Sequence, residues 1–149
     1  MSLTAFDPED LTIISAHLQD AILRVGDITF IPRKRTLVVI ANRFCWEGAR
    51  AAGTGASAFE RCCCGLQIHG VLSLRRSGIR QDAPDAILSL LAVLFHPGSE
   101  PPGGTIELTF SGGGSLRAEV ECIEVALKDL GPSWRTRRRP RHAELPADK

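Results

Sequence analysis

Cysteine and histidine hold most of the reactive potential of this 149-residue chain, with five of the first and four of the second. Thiolates bind zinc and act as nucleophiles, and a nearby cation such as Arg61 favours the thiolate. Three of the cysteines, Cys62, Cys63 and Cys64, are consecutive. That spacing opposes a metal site, because paired zinc ligands usually have about two to four residues between them and because in a strand Cys63 faces away from Cys62 and Cys64. The triplet is expected to be small buried apolar side chains. Cys122 opens a predicted helix, where the dipole favours a thiolate, but Glu119, Glu121 and Glu124 oppose ionisation, so a structural role is expected there too. His17, His69, His96 and His142 stand at neither metal-ligand nor triad spacing, and no HExxH or GxSxG motif is present. No metal or cofactor is implied, and no catalytic residue is assigned.

Two groupings remain. His17 and Asp20 are three apart on one predicted helix, a spacing at which a carboxylate can orient an imidazole as a general base, although such pairs are also ordinary polar helix ends. With His69 and Arg75 they form the polar site that an enzyme assembled from distant residues would use. The second grouping is a basic tail containing Arg135, Arg137, Arg138, Arg139, Arg141 and His142. Residues 133–149 hold six of the 18 Lys/Arg and two of the 17 Asp/Glu, so the tail carries +4 and the rest of the chain −3. Arginine forks match carboxylate and phosphate, which makes the tail a candidate contact for a protein or anionic ligand. Nucleic acid is the weaker expectation, since no aromatic residues interleave to stack on bases. The Gly112, Gly113 and Gly114 run lacks the GxxxxGK[ST] pattern and joins two predicted strands, which makes it a hairpin loop and not a phosphate cradle.

The elements that must position these residues begin with a helix. Asp7 is placed as its N-cap, Pro8 at its first position, and Glu9 and Asp10 against the positive dipole end. Phe6 and Leu11 have the spacing of a hydrophobic staple, and Leu11, Ile14 and Leu18 share a face that should end near Gln19 or Asp20. Residues 22–25 and 28–31 are predicted strands around a Gly26-Asp27 hairpin, and a turn at 32–35 leads into 36–41, completing a meander. Residues 47–58 are expected to be a surface loop. Leu66, Ile68, Leu72 and Leu74 alternate with Gln67, His69, Ser73 and Arg75, the pattern of one half-exposed strand. Residues 86–95 favour a strand over a helix, and 105–110 and 116–120 flank the glycine hairpin. A closing helix is predicted over 121–130, with Ile123, Ala126, Leu127 and Leu130 on one face and Gly131-Pro132 as its stop. The expected fold class is α+β: a mostly antiparallel sheet or partly closed barrel of about seven strands with an N-terminal and a C-terminal helix. That is the element order of a pleckstrin-homology-like barrel. Residues 1–134 would be one globular domain and 135–149 a partly flexible tail.

Composition agrees with a folded chain, at 44% hydrophobic and 23% charged. No stretch reaches the roughly 18 apolar residues of a membrane helix, so no membrane insertion is expected. The odd, clustered cysteines are unlike an extracellular disulfide framework, which favours a reducing cytoplasm. Four blocks, residues 16–27 (AHLQDAILRVGD), 42–47 (NRFCWE), 84–98 (PDAILSLLAVLFHPG) and 111–142, resemble the bacterial domain-of-unknown-function 2948 family. The resemblance implies a single-domain protein of about this length and brings no activity, cofactor or functional residue with it. The function expected is a non-catalytic binding or interaction module, with the enzyme described above as the alternative.

Overall fold

Side chains alternate between buried and exposed along much of the described sequence, and strands follow from that alternation. The computed structural model describes residues 1–45, 60–131 and 134–135. Their elements in chain order are β1 (Ser2–Ala5), α1 (Pro8–Leu18), β2 (Ile22–Arg24), β3 (Ile28–Ile31), β4 (Thr36–Phe44), β5 (Glu60–Ile68), β6 (Val71–Ser77), β7 (Ile87–Pro97), β8 (Gly104–Phe110), β9 (Ser115–Val120), β10 (Val125–Asp129) and β11 (Trp134–Arg135). One antiparallel sheet runs β1-β10-β5-β4-β2-β7-β8-β9-β6, with β3 added to β4 and β11 to β5.

The register explains the core. Ala5, Val125, Ile68 and Leu37 lie opposite one another across β1, β10, β5 and β4, and all four are buried. They form one cluster with Leu90, Ile106, Leu108, Phe110 and Leu116 from the other half of the sheet. Helix α1 adds Leu11, Ile14 and Leu18. Its start is as predicted: the Asp7 carboxylate accepts the Asp10 N–H at 2.8 Å and Pro8 stands in the first turn. Phe6, however, is 67% exposed, so the expected staple is not buried. The helix also covers the edge of β7 where short β2 ends. Val93 N–H donates to Ser15 Oγ at 2.9 Å, and Leu90 exchanges backbone bonds with Asp20 and Ala21.

Several expectations are corrected. The described residues form a mostly antiparallel sheet with one short α-helix, so the α+β class with two terminal helices does not hold. The sheet is not a closed barrel, since its path ends at β1 and β6, and the pleckstrin-homology-like likeness falls with the missing C-terminal helix. The predicted helix at 121–130 is strand β10: Ile123, Val125 and Leu127 are buried while Glu124 and Lys128 are exposed, a period of two, and Leu130 is 54% exposed. Partners on both sides, β1 and β5, satisfy its backbone and override the short-range helical pattern. β2 and β3 do not pair with each other; a 3-10 turn, Val25–Asp27, carries the chain from one to the other. The strand read through 66–74 is broken by a turn at His69 and Gly70, where Gly70 has φ 70°, and Leu72 is 53% exposed at a bulge. β7 and the β8–β9 hairpin match their predictions. The surface loop expected at 47–58 lies outside the described residues. Among the described residues, no helix is long and apolar enough to cross a membrane.

Candidate functional site

β7, β8, β9 and β6 are consecutive neighbours, and their register aligns outward-facing polar residues from four strands. Opposite one another across the sheet stand His96, Thr105, Glu119 and Ser73, and in the next row Leu94, Glu107, Arg117 and Arg75. The polar members of these two rows line a cleft of about 420 Å³.

Glu107 is its centre and is 9% exposed. Oε1 accepts from His96 Nε2 at 2.8 Å and Oε2 from Arg117 Nε at 3.3 Å. The His96 hydrogen bond, aided by Arg117 and opposed by burial, holds the Glu107 carboxyl below its usual range. An ionised carboxylate only accepts, so Nε2 carries a proton and the lone pair of a neutral His96 ring lies on Nδ1. The Ser73 hydroxyl donates to Glu119 Oε1 at 3.3 Å. Gly104 stands beside His96 because a Cβ there would lie 2.5 Å from the His96 carbonyl oxygen and 2.6 Å from the Phe95 ring.

Arg75 and Arg117 are directly opposite on β6 and β9, an arrangement that like charges disfavour. Arg117 has Glu107 as its counter-charge. Arg75 is exposed, with no carboxylate within 4.0 Å among the described residues.

Of the polar site foreseen from sequence, Arg75 alone lines this cleft. His17 Nδ1 lies 3.0 Å from the Ile13 carbonyl within α1, Asp20 follows the Gln19 C-cap of that helix with φ 68°, and His69 Nδ1 lies 3.4 Å from Thr36 Oγ1 at the β5–β6 turn. His96, Glu107, Arg117 and Glu119 were not foreseen as a site. The polar alternation of β8 and β9 was visible, but the register that joins it to His96 and Arg75 was not. Of the tail residues, Arg135 belongs to β11, whereas Arg137, Arg138, Arg139, Arg141 and His142 lie outside the described residues.

The cysteine reading also changes. Cys62 is buried as expected, but it forms a disulfide with Cys45, 17 residues away. β4 and β5 explain the meeting, since Arg43 and Cys62 are register partners and Cys45 follows two residues later. Burial pushes the Cys64 thiol up to about 12, and burial with Asp27 and Asp129 raises Cys63, so neither is an activated nucleophile. Cys122 precedes a strand, so no helix dipole acts on it. Among the described residues, no group of three or more His, Cys, Asp or Glu side chains could hold a metal.

No curated protein and no solved structure matches the chain. The family model described as "Protein of unknown function (DUF2948)" matches residues 1–142, in agreement with the sequence blocks, and the chain belongs to that family.

Proposed function

We propose that this protein is a non-catalytic binding module whose four-stranded cleft captures a small polar ligand through an anionic group. One observation carries the reading: Arg75 faces Arg117 across β6 and β9 without a counter-charge of its own among the described residues. An oxyanion between them would relieve the like-charge pairing and accept hydrogen bonds from both guanidinium groups. The Glu107 carboxylate supports this by holding Arg117 and His96 in place before a ligand arrives, which reduces the ordering cost of binding. Calorimetry with small carboxylates and phosphate tests it. Arg75→Ala is expected to weaken binding about 10- to 100-fold, since hydrogen bonds to charged groups contribute roughly 1.5–3 kcal/mol. Binding unchanged in this variant would reject the cleft.

The basic tail remains a separate candidate contact for a protein or anionic partner. Truncation after residue 135 separates the two, because cleft binding should survive it. An enzymatic reading has one supporting observation, the orientation of His96 by Glu107 at 2.8 Å, which suits a general base. Turnover of a bound ligand, lost in His96→Gln with binding retained, would favour that reading over the binding module.

A further inference from the structure

We infer that the ligand of this cleft is a zwitterion with the chemistry of a free α-amino acid, an inference that rests on the cleft being the binding site. The arginines and carboxylates of the lining are Arg75, Arg117, Glu107 and Glu119, two charges of each sign. A cleft of that balance has no net attraction for a polyanion. Glu107 is committed to both Arg117 and His96. Two opposite charges are then left to a ligand: Arg75, with no partner among the described residues, and Glu119, which accepts a hydrogen bond from the neutral Ser73 hydroxyl.

These two lie diagonally on paired strands. Glu119 is opposite Ser73 and Arg117 is opposite Arg75, so Arg75 and Glu119 are separated by one strand spacing and two residues. Diagonal neighbours of this kind have Cα atoms about 7–8 Å apart, within reach of long side chains. They nevertheless form no ion pair within 4.0 Å. The gap suits a carboxylate set between Arg75 and Arg117 and an ammonium donating to Glu119, the short charge separation of an α-amino acid. Thr105 and Ser73 supply further hydrogen-bonding groups for a polar side chain.

The test is a thermal-shift screen of the full-length protein against the twenty protein amino acids and inorganic phosphate. Calorimetry follows on the best amino acid, its N-acetyl form and its carboxamide. At least one amino acid is expected to raise Tm, and loss of either charge by blocking should weaken binding at least tenfold. Arg75→Ala and Glu119→Gln should each do the same while leaving the ligand-free Tm near that of the native chain, since both side chains are exposed. Equal binding of the N-acetyl form, or of phosphate, in an Arg75-dependent manner would overturn the zwitterion and leave the anion-binding cleft standing. No shift with any amino acid or phosphate would overturn both.

Discussion

Arg43 is 2% exposed, and such a charge is tolerated inside a fold only when its donors are matched. Nε and Nη2 donate to the two carboxylate oxygens of Asp129 at 3.1 Å each, Nη1 donates to the Phe44 carbonyl, and the N-terminal amine lies 3.3 Å from Asp129. Burial works against the charged form of Asp129, but the bonds from Arg43 and the amine outweigh it and hold the carboxyl below its usual range. The folded-state pKa is therefore below the unfolded value of about 3.9, so the pair's contribution is complete above that pH and is lost as pH falls through the lower folded value. Asp129→Asn should cost roughly 3 kcal/mol near neutral pH, as breaking a buried pair does. It should also lose part of the native protein's acid sensitivity, as urea melts compared near pH 7 and pH 3 would reveal. A variant that kept the full acid sensitivity would show that this carboxylate is not its source.

Strands β7 and β8 meet where Gly104 faces Pro97, and their closeness sets how His96 reaches Glu107. In Gly104→Ala the new methyl would press on the His96 carbonyl and the Phe95 ring, and neither backbone nor packed ring yields freely. The strands must part, with an expected loss of about 1–3 kcal/mol typical of overpacking. Ligand binding at the cleft should weaken with it, while Ser111→Ala on the exposed hairpin tip should leave both stability and binding unchanged. Gly104→Ala with native stability and affinity would show that this contact does not set the cleft. β10 shows why elements are harder to infer than side chains. Its residues fit a helical face nearly as well as an alternating one, and only bonding to β1 and β5 on either side makes the strand preferable.

Across the whole molecule, the Cys45–Cys62 bond ties β4 to β5 and closes the chain between them. Denatured, unreduced protein should show three reactive thiols, Cys63, Cys64 and Cys122, and reduced protein five. By the chain-entropy account a loop of this size stabilises by about 3 kcal/mol, the loss expected in a Cys45→Ala, Cys62→Ala double variant under urea. Five thiols without reductant would remove the bond and this prediction together. What the sequence determined by itself was local: the caps of α1, the strand character of β7, the β8–β9 hairpin, and, through nearly its full length, family membership. The caps, the strand and the hairpin depend on neighbours within a few residues, where periodicity and capping act. Tertiary structure alone decided that 125–129 is a strand, that Cys45 meets Cys62, and that Arg75 joins His96, Glu107 and Arg117. Each of those depends on register between strands far apart in the chain, and a shift of one residue would turn every one of these side chains to the other face.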